Sequence, residues 1–105
     1  MQSLFGWDTS IGTLIGVHVS LYLDTMLFLG TEKHRQLVED ASAFKDFGCF
    51  GMTEIGHGTN VMGLETTATY DHATREFILS SPTHTAAKLW IGAAGRTANR
   101  CTVFA

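Results

Sequence analysis

The sequence has little charge and less chemistry of the usual kinds. Lys, Arg, Asp and Glu make up 16% of its 105 residues, the net charge is −3, and no basic run occurs. Nucleic acid and anionic membrane are therefore not expected partners. There are two cysteines, Cys49 and Cys101, and no CxxC. This spacing argues against a disulfide scaffold and for buried free thiols in a reducing compartment. No basic n-region precedes the one long apolar run, so it does not read as a signal peptide. No internal repeat or low-complexity segment is present, and the closing CTVFA carries no address signal. A chain of this length points to one domain or less, with marginal stability if it stood alone.

What is present divides near Gly48. Before it the periodicity is helical. Residues 11 to 29, IGTLIGVHVSLYLDTMLFL, are apolar nearly all round. The run is almost long enough to span a bilayer. It carries His18, Ser20, Asp24 and Thr25, however, and an aspartate is costly at mid-membrane. The expected element is a helix covered on most sides by protein, not a membrane span. Thr31 is placed to cap a second helix, with Glu32 in its first turn. Leu37, Val38, Ala41 and Phe44 give that helix an apolar stripe, and Gly48 is its expected stop.

After Gly48 the pattern is β. CFGMTE is a short apolar run. LETTATY alternates and is rich in β-branched residues, DHATR reads as a turn led by Asp71, and EFILSS returns, so residues 64–81 predict a hairpin. AKLWIG and RCTVFA are further strand candidates. The expected fold class is α+β: two helices over residues 1–47, then four or five strands over residues 48–105. A last strand with no closing partner would leave an open edge. Together with the all-round apolar helix, it suggests a piece of a larger protein.

The stretch GCFGMTEIGHGTN, residues 48–60, holds the densest chemistry. Glu54 and His57 are three apart, but with no second His or Cys nearby they make a poor metal site. Cys49 with His57 lacks an orienting third group for nucleophilic catalysis. A ligand cradle fits better. Gly56 and Gly58 permit positive φ and close backbone approach, and Thr53 and Thr59 add hydroxyls. A GxG outside a strand–GxGxxG–helix context does not decide the ligand.

The longer strings do more. GCFGMTEIGHGTNVMGLETTATYD followed by EFILSSPTHTAAKLWIGAAGRTANRCTVFA closely resembles the peroxisomal acyl-CoA oxidases, the oxidase branch of the acyl-CoA dehydrogenase superfamily. GVHVSLYLDTMLFLGTEKHR resembles the last helices before that family's central β domain. In the dehydrogenase branch the loop usually reads TEPGAGSD; Ile55, His57 and Asn60 agree with the oxidases instead.

The resemblance implies that residues 1–47 are the last helices of an all-α domain and residues 48–105 the first part of an antiparallel, barrel-like β domain, in an FAD enzyme of peroxisomal fatty-acid β-oxidation. It would desaturate acyl-CoA to trans-2-enoyl-CoA and pass the electrons to O₂, giving H₂O₂, and the complete enzyme would be a homodimer. By the same resemblance Thr53, Trp90 and Gly92 contact the flavin, and Gly58, Thr59 and Asn60 lie against the acyl-CoA. Dehydrogenases carry Thr or Ser at the position of Gly92, so its missing side chain would open a path for O₂. The catalytic glutamate of the family belongs to a C-terminal helical domain, so none of these residues is expected to be the base. Glu54 is expected to brace structure, Glu65 to sit on a solvated strand face, and Lys88 to be a surface lysine. His18, His34, His72 and His84 are expected in core or surface roles. The rival implications are a dehydrogenase serving an electron-transfer flavoprotein, and a non-catalytic remnant of the fold.

Overall fold

The computed structural model describes residues 6–105, which form two compact units. One runs up to Phe50 and takes in Gly92–Thr102. The other comprises Gly51–Ile91 with Val103–Ala105.

The first unit is built on helix α1, Thr9–Leu29, with helix α2, Arg35–Ser42, after it. Asp8 caps α1, its carboxylate accepting from the N–H groups of Ser10 at 2.8 Å and Ile11 at 3.3 Å. Between Val17 and Leu23 the helix widens to a π-helix before returning to α geometry at Asp24. Such widening is uncommon and costs backbone geometry. Both buried side chains of the helix, His18 and Tyr22, belong to that segment. The expected all-round cover is not found within this chain: 17% of the helix's apolar window is buried. His18 and Tyr22 face the core, while Leu27, Phe28 and Leu29 stay largely exposed. By length and composition the helix could cross a membrane, with a mean hydropathy of 1.5.

Thr31 begins the next helical stretch as expected. His34 folds back so that its Nδ1 accepts from the Thr31 N–H at 3.0 Å. A short 3₁₀ turn, Glu32–His34, leads into α2. The apolar stripe ends sooner than Phe44. The helix stops at Ser42, and Phe44 adopts φ 54°. That left-handed residue, not Gly48, ends the helical direction. Gly48 instead opens strand β1, Gly48–Gly51, and is a glycine because a Cβ there would run into the Tyr22 ring.

The core of this unit is a histidine among aromatics. The His18 ring stacks on Phe47 at 4.5 Å between centroids and lies 4.9 Å from Phe44 and 5.9 Å from Tyr22. Its Nε2 lies 3.0 Å from the Ala41 carbonyl, and its Nδ1 accepts from the Gly48 N–H at 3.0 Å. The second bond leaves Nδ1 without a proton, so Nε2 is the donor to Ala41. One neutral side chain thus ties α1 to α2 and to β1.

β1 pairs with β4, Arg100–Val103, as a two-stranded sheet. Both cysteines lie on this pair and both are free thiols. Cys49 is buried as expected; Cys101 is exposed, contrary to expectation. Burial, with the neighbouring Cys101 thiol, pushes Cys49 up to about 11. At the edge of this unit Arg100 Nε bonds Asp46 at 3.0 Å, which holds that carboxyl below its ordinary value.

The second unit contains the expected hairpin, over a shorter span. β2, Thr67–Asp71, pairs antiparallel with β3, Glu76–Ser80, in the register Thr67↔Ser80 to Asp71↔Glu76. Asp71 leads the turn, as its sequence suggests. Its carboxylate accepts from Ala73 N–H at 2.8 Å, and its carbonyl from Arg75 N–H at 2.8 Å. Leu64 to Thr66 are drawn out of the strand by bonds described below. AKLWIG does not form a strand. It makes an isolated bridge, Glu54↔Lys88, after which Trp90 turns the backbone with φ 42°. The β part is therefore two two-stranded sheets.

Candidate functional site

The site is built from two segments of the second unit that run side by side. The Ile55 N–H bonds Ala87 O at 3.0 Å, and the Leu89 N–H bonds Thr53 O at 3.1 Å, on either side of the Glu54↔Lys88 bridge. Thr53 is thereby fixed beside the residue preceding Trp90. Trp90 is 82% exposed and has a left-handed backbone, φ 42°.

Beneath these segments lies Glu54, at 1% relative exposure. Its Oε2 accepts from the Glu65 N–H at 2.8 Å. Its Oε1 accepts from the Thr66 N–H at 2.9 Å, the Lys88 ammonium at 3.0 Å and the Thr66 hydroxyl. Burial alone would raise the carboxyl. The four donors outweigh it and hold Glu54 at about 2. Glu54 braces structure, as expected. Lys88 does not behave as a surface lysine. Its side chain is 17% exposed, and its remaining donors go to Met52 O at 3.0 Å and Phe104 O at 2.8 Å. A buried carboxylate needs a cation, and three acceptors converge where the ammonium's three protons can reach them.

The same bonds explain why LETTATY starts its strand late. Thr66 is buried with its hydroxyl oxygen also 3.0 Å from Ala86 O, and residues 65 and 66 spend their N–H groups on Glu54 and not on a neighbouring strand. Glu65 therefore does not sit on a solvated strand face. Its Oε2 accepts from the hydroxyls of Thr83 and Thr85, each at 2.6 Å, and its Oε1 lies 3.1 Å from His57 Nε2. The two hydroxyls and then His57 hold its carboxyl below the ordinary value.

The loop between them is pinned at one end. Glu54 and His57 exchange backbone bonds at 3.1 and 3.2 Å, and the Gly56 N–H reaches Thr85 O at 2.9 Å. Neither Gly56 nor Gly58 uses the positive φ their sequence allows. Gly56 is required for close approach, since a Cβ would lie 2.9 Å from the Thr85 Cβ. Gly58 is open, with nothing within 4 Å of that position. Thr59 and Asn60 are exposed, and among the described residues their bonds are short-range, from Val61 to Thr59 O and from Gly63 to Asn60 O. Glu54 and His57 bond different partners and do not converge as metal ligands.

Gly92 belongs to the first unit. It is exposed, and a Cβ there would meet only Val17 Cγ2, at 3.7 Å. His34 caps a helix, His18 is core, and the His72 ring meets Tyr70 edge-on at 4.9 Å. The residues that sequence reasoning missed are Thr83, Thr85 and Lys88. Their signal, polar side chains ahead of and within AKLWIG, has no local period to reveal it.

The chain is similar to known proteins in sequence and fold. No family model matches the chain. An acyl-coenzyme A oxidase of Komagataella pastoris is 48% identical over 102 residues, 93% of this chain and 14% of that protein. A putative peroxisomal acyl-coenzyme A oxidase 3.2 of Arabidopsis thaliana is 43% identical over 98 residues, 92% of this chain and 14% of that protein. The solved structure of acyl-CoA oxidase-2 of Caenorhabditis elegans, bound with FAD, ascaroside-CoA and ATP, superposes with a TM-score of 0.80. It is 38% identical and covers 86% of this chain and 14% of its own.

Helices leading into a glycine-loop and hairpin segment thus recur in a class of CoA-thioester oxidases. In sequence and fold the chain is similar to acyl-CoA oxidases, of whose length it spans about one seventh.

Proposed function

We propose that this chain is the flavin- and substrate-contacting segment of an FAD-dependent acyl-CoA oxidase. The complete enzyme would desaturate acyl-CoA to trans-2-enoyl-CoA in the peroxisome, reduce O₂ to H₂O₂ and act as a homodimer. The observation that carries this reading is the Glu54–Lys88 frame. It holds Thr53 and the Trp90 segment beside each other and leaves Gly58, Thr59 and Asn60 projecting, in a sequence 48% identical to a named acyl-CoA oxidase.

The residues present fit the cofactor. An indole 82% exposed offers a flat apolar face to a ring system. Thr53 sits on the adjoining segment, where a backbone or hydroxyl donor stabilises charge gained by a reduced ring. FAD, when bound, supplies the hydride acceptor and the route of electrons to O₂. Thr53, Trp90 and Gly92 would hold it. Gly58, with nothing within 4 Å of a Cβ position, gives a thioester room to approach the backbone, and Thr59 and Asn60 add polar contacts. The α-proton would be taken by a glutamate elsewhere in the complete enzyme. Glu54 and Glu65 are each engaged by several donors and are held acidic, the opposite of what a base near neutral pH needs.

The test is spectroscopic. The complete enzyme carrying this segment should purify with a visible flavin absorption that bleaches when acyl-CoA is added without air. Colourless protein, or colour that acyl-CoA leaves unchanged, contradicts the proposal. The exposed glycine at 92 adds a second reading of the same assay. Gly92→Thr should slow recovery of the absorption on readmitting O₂ more than it slows the bleaching; equal slowing contradicts a role for that space.

A further inference from the structure

A half-buried glutamate, a histidine and two threonines cluster beside the glycine loop. Glu65 Oε1 takes the His57 ring at 3.1 Å, and Oε2 takes Thr83 and Thr85, each at 2.6 Å. A carboxylate only accepts, so His57 Nε2 is the donor. The two hydroxyls also lie 3.0 Å apart, and Thr83 Oγ accepts from the Ala86 N–H at 3.1 Å. The cluster is thus anchored to the backbone on its far side.

It is anchored on its near side too. The Glu65 N–H is held by Glu54 Oε2 at 2.8 Å, and Glu54 is held by Lys88. One buried carboxylate fixes the backbone of the residue whose own carboxylate fixes His57. His57 is the last residue of the loop with a side-chain anchor. Its neighbours Gly58, Thr59 and Asn60 are exposed and, among the described residues, bonded at short range.

We propose that Glu65 is a positioning residue for the acyl-CoA contact. Through His57 it fixes the direction in which Gly58, Thr59 and Asn60 leave the frame. This rests on the reading of those three residues as substrate-contacting. Glu65 itself touches neither substrate nor flavin. Thr83 and Thr85 hold the carboxylate so that its other oxygen remains aimed at His57.

A loop that must be ordered on binding costs affinity, and a pre-ordered one does not. Losing the Glu65–His57 bond should therefore raise KM and spare the chemical step. A hydrogen bond to a charged group is worth about tenfold in affinity or somewhat more. The pair acts as one unit, so removing both members should cost no more than removing either.

The experiment uses the complete enzyme, with palmitoyl-CoA and decanoyl-CoA as probes and H₂O₂ formation as the readout. Glu65→Ala and His57→Ala should each raise KM about tenfold for both thioesters, with kcat changed less than about threefold and the flavin absorption retained. The double variant should match either single one. Glu65→Gln, which keeps one accepting oxygen, should recover part of the lost affinity. A KM within about twofold of wild type in His57→Ala overturns the proposal, as does an additive double variant. Loss of flavin, or equal falls in kcat with KM unchanged, assigns the cluster to folding alone and also overturns it. If Glu65→Ala fails to fold, His57→Ala and Thr85→Val decide by the same KM criterion. An unmodified enzyme that makes no H₂O₂ from either thioester overturns the Proposed function, whereas an active enzyme with unmoved KM values in the variants overturns only this inference.

Discussion

The two units of this chain are held together by opposite means. In the first, the buried side chains are those of His18, Tyr22, Ala41 and Cys49, with Phe44 and Phe47 against the His18 ring, and the fit is by volume and ring contact. In the second, the most buried side chains are Glu54, Thr66 and Ala86, and the fit is by donor and acceptor. Apolar packing tolerates imprecise direction but not extra atoms. A buried carboxylate is the reverse: it tolerates little loss of a partner, because the charge left behind is unpaired. The unit that carries the proposed ligand contacts other than Gly92 is therefore the one whose geometry is set by directional bonds. Such bonds fix where a backbone carbonyl or N–H points, which a ligand cradle requires and a helix core does not.

Isosteric change should separate the two most sharply. Glu54→Gln keeps the volume and removes the charge, stranding the Lys88 ammonium. The complete enzyme should then lose bound flavin or fail to accumulate folded, read by visible absorption and by soluble yield. In the first unit the corresponding blow is a change of volume. Gly48→Ala places a Cβ about where the Tyr22 ring stands and should cost about 3 kcal/mol in chemical denaturation. A near-neutral Glu54→Gln beside a severe Gly48→Ala would break the comparison.

Acid sharpens it further. Glu54 is held at about 2, against an ordinary value of 4.5. Its contribution is fully present above pH 4.5 and is lost as pH falls toward 2, because the unfolded chain takes up the proton first. Hydrogen exchange at falling pH should show the amides of Glu65 and Thr66, which Glu54 holds, losing protection between pH 4.5 and about 2. Protection kept throughout that range would mean that the carboxylate does not set the geometry of the second unit. The smallest effect is expected at the hairpin turn, outside both cores. Arg75 has φ 60°, a conformation that favours glycine, so Arg75→Gly should gain up to about 1 kcal/mol in thermal or chemical unfolding.

Much of the helical unit and the hairpin was legible in the sequence because their signals are local. The apolar run after Asp8, the cap at Thr31 and the Asp71 turn each act within a few residues. The π segment from Val17 to Leu23 was not legible, since residues remote in sequence, Ala41 and Gly48, engage His18 there. Phe44 keeps the stripe's spacing, but its backbone leaves the helix.

In the site, Glu54's bracing role was legible, while the solvated reading of Glu65 and the surface reading of Lys88 failed for one reason. Alternation says which residues share a strand face, and here Glu54 had taken the N–H groups of residues 65 and 66 out of any strand. Lys88 and Thr85 meet their partners across 34 and 20 residues, beyond the reach of any periodicity. AKLWIG has a strand's composition, yet it pairs at one bridge and then turns at Trp90.

The most direct measurement is the product balance of the complete enzyme carrying this segment, incubated with a saturated acyl-CoA in air. The account predicts H₂O₂ and 2-enoyl-CoA in equal amounts. Enoyl-CoA formed only when an electron-transfer flavoprotein is supplied, with no H₂O₂, or no product at all, would contradict it.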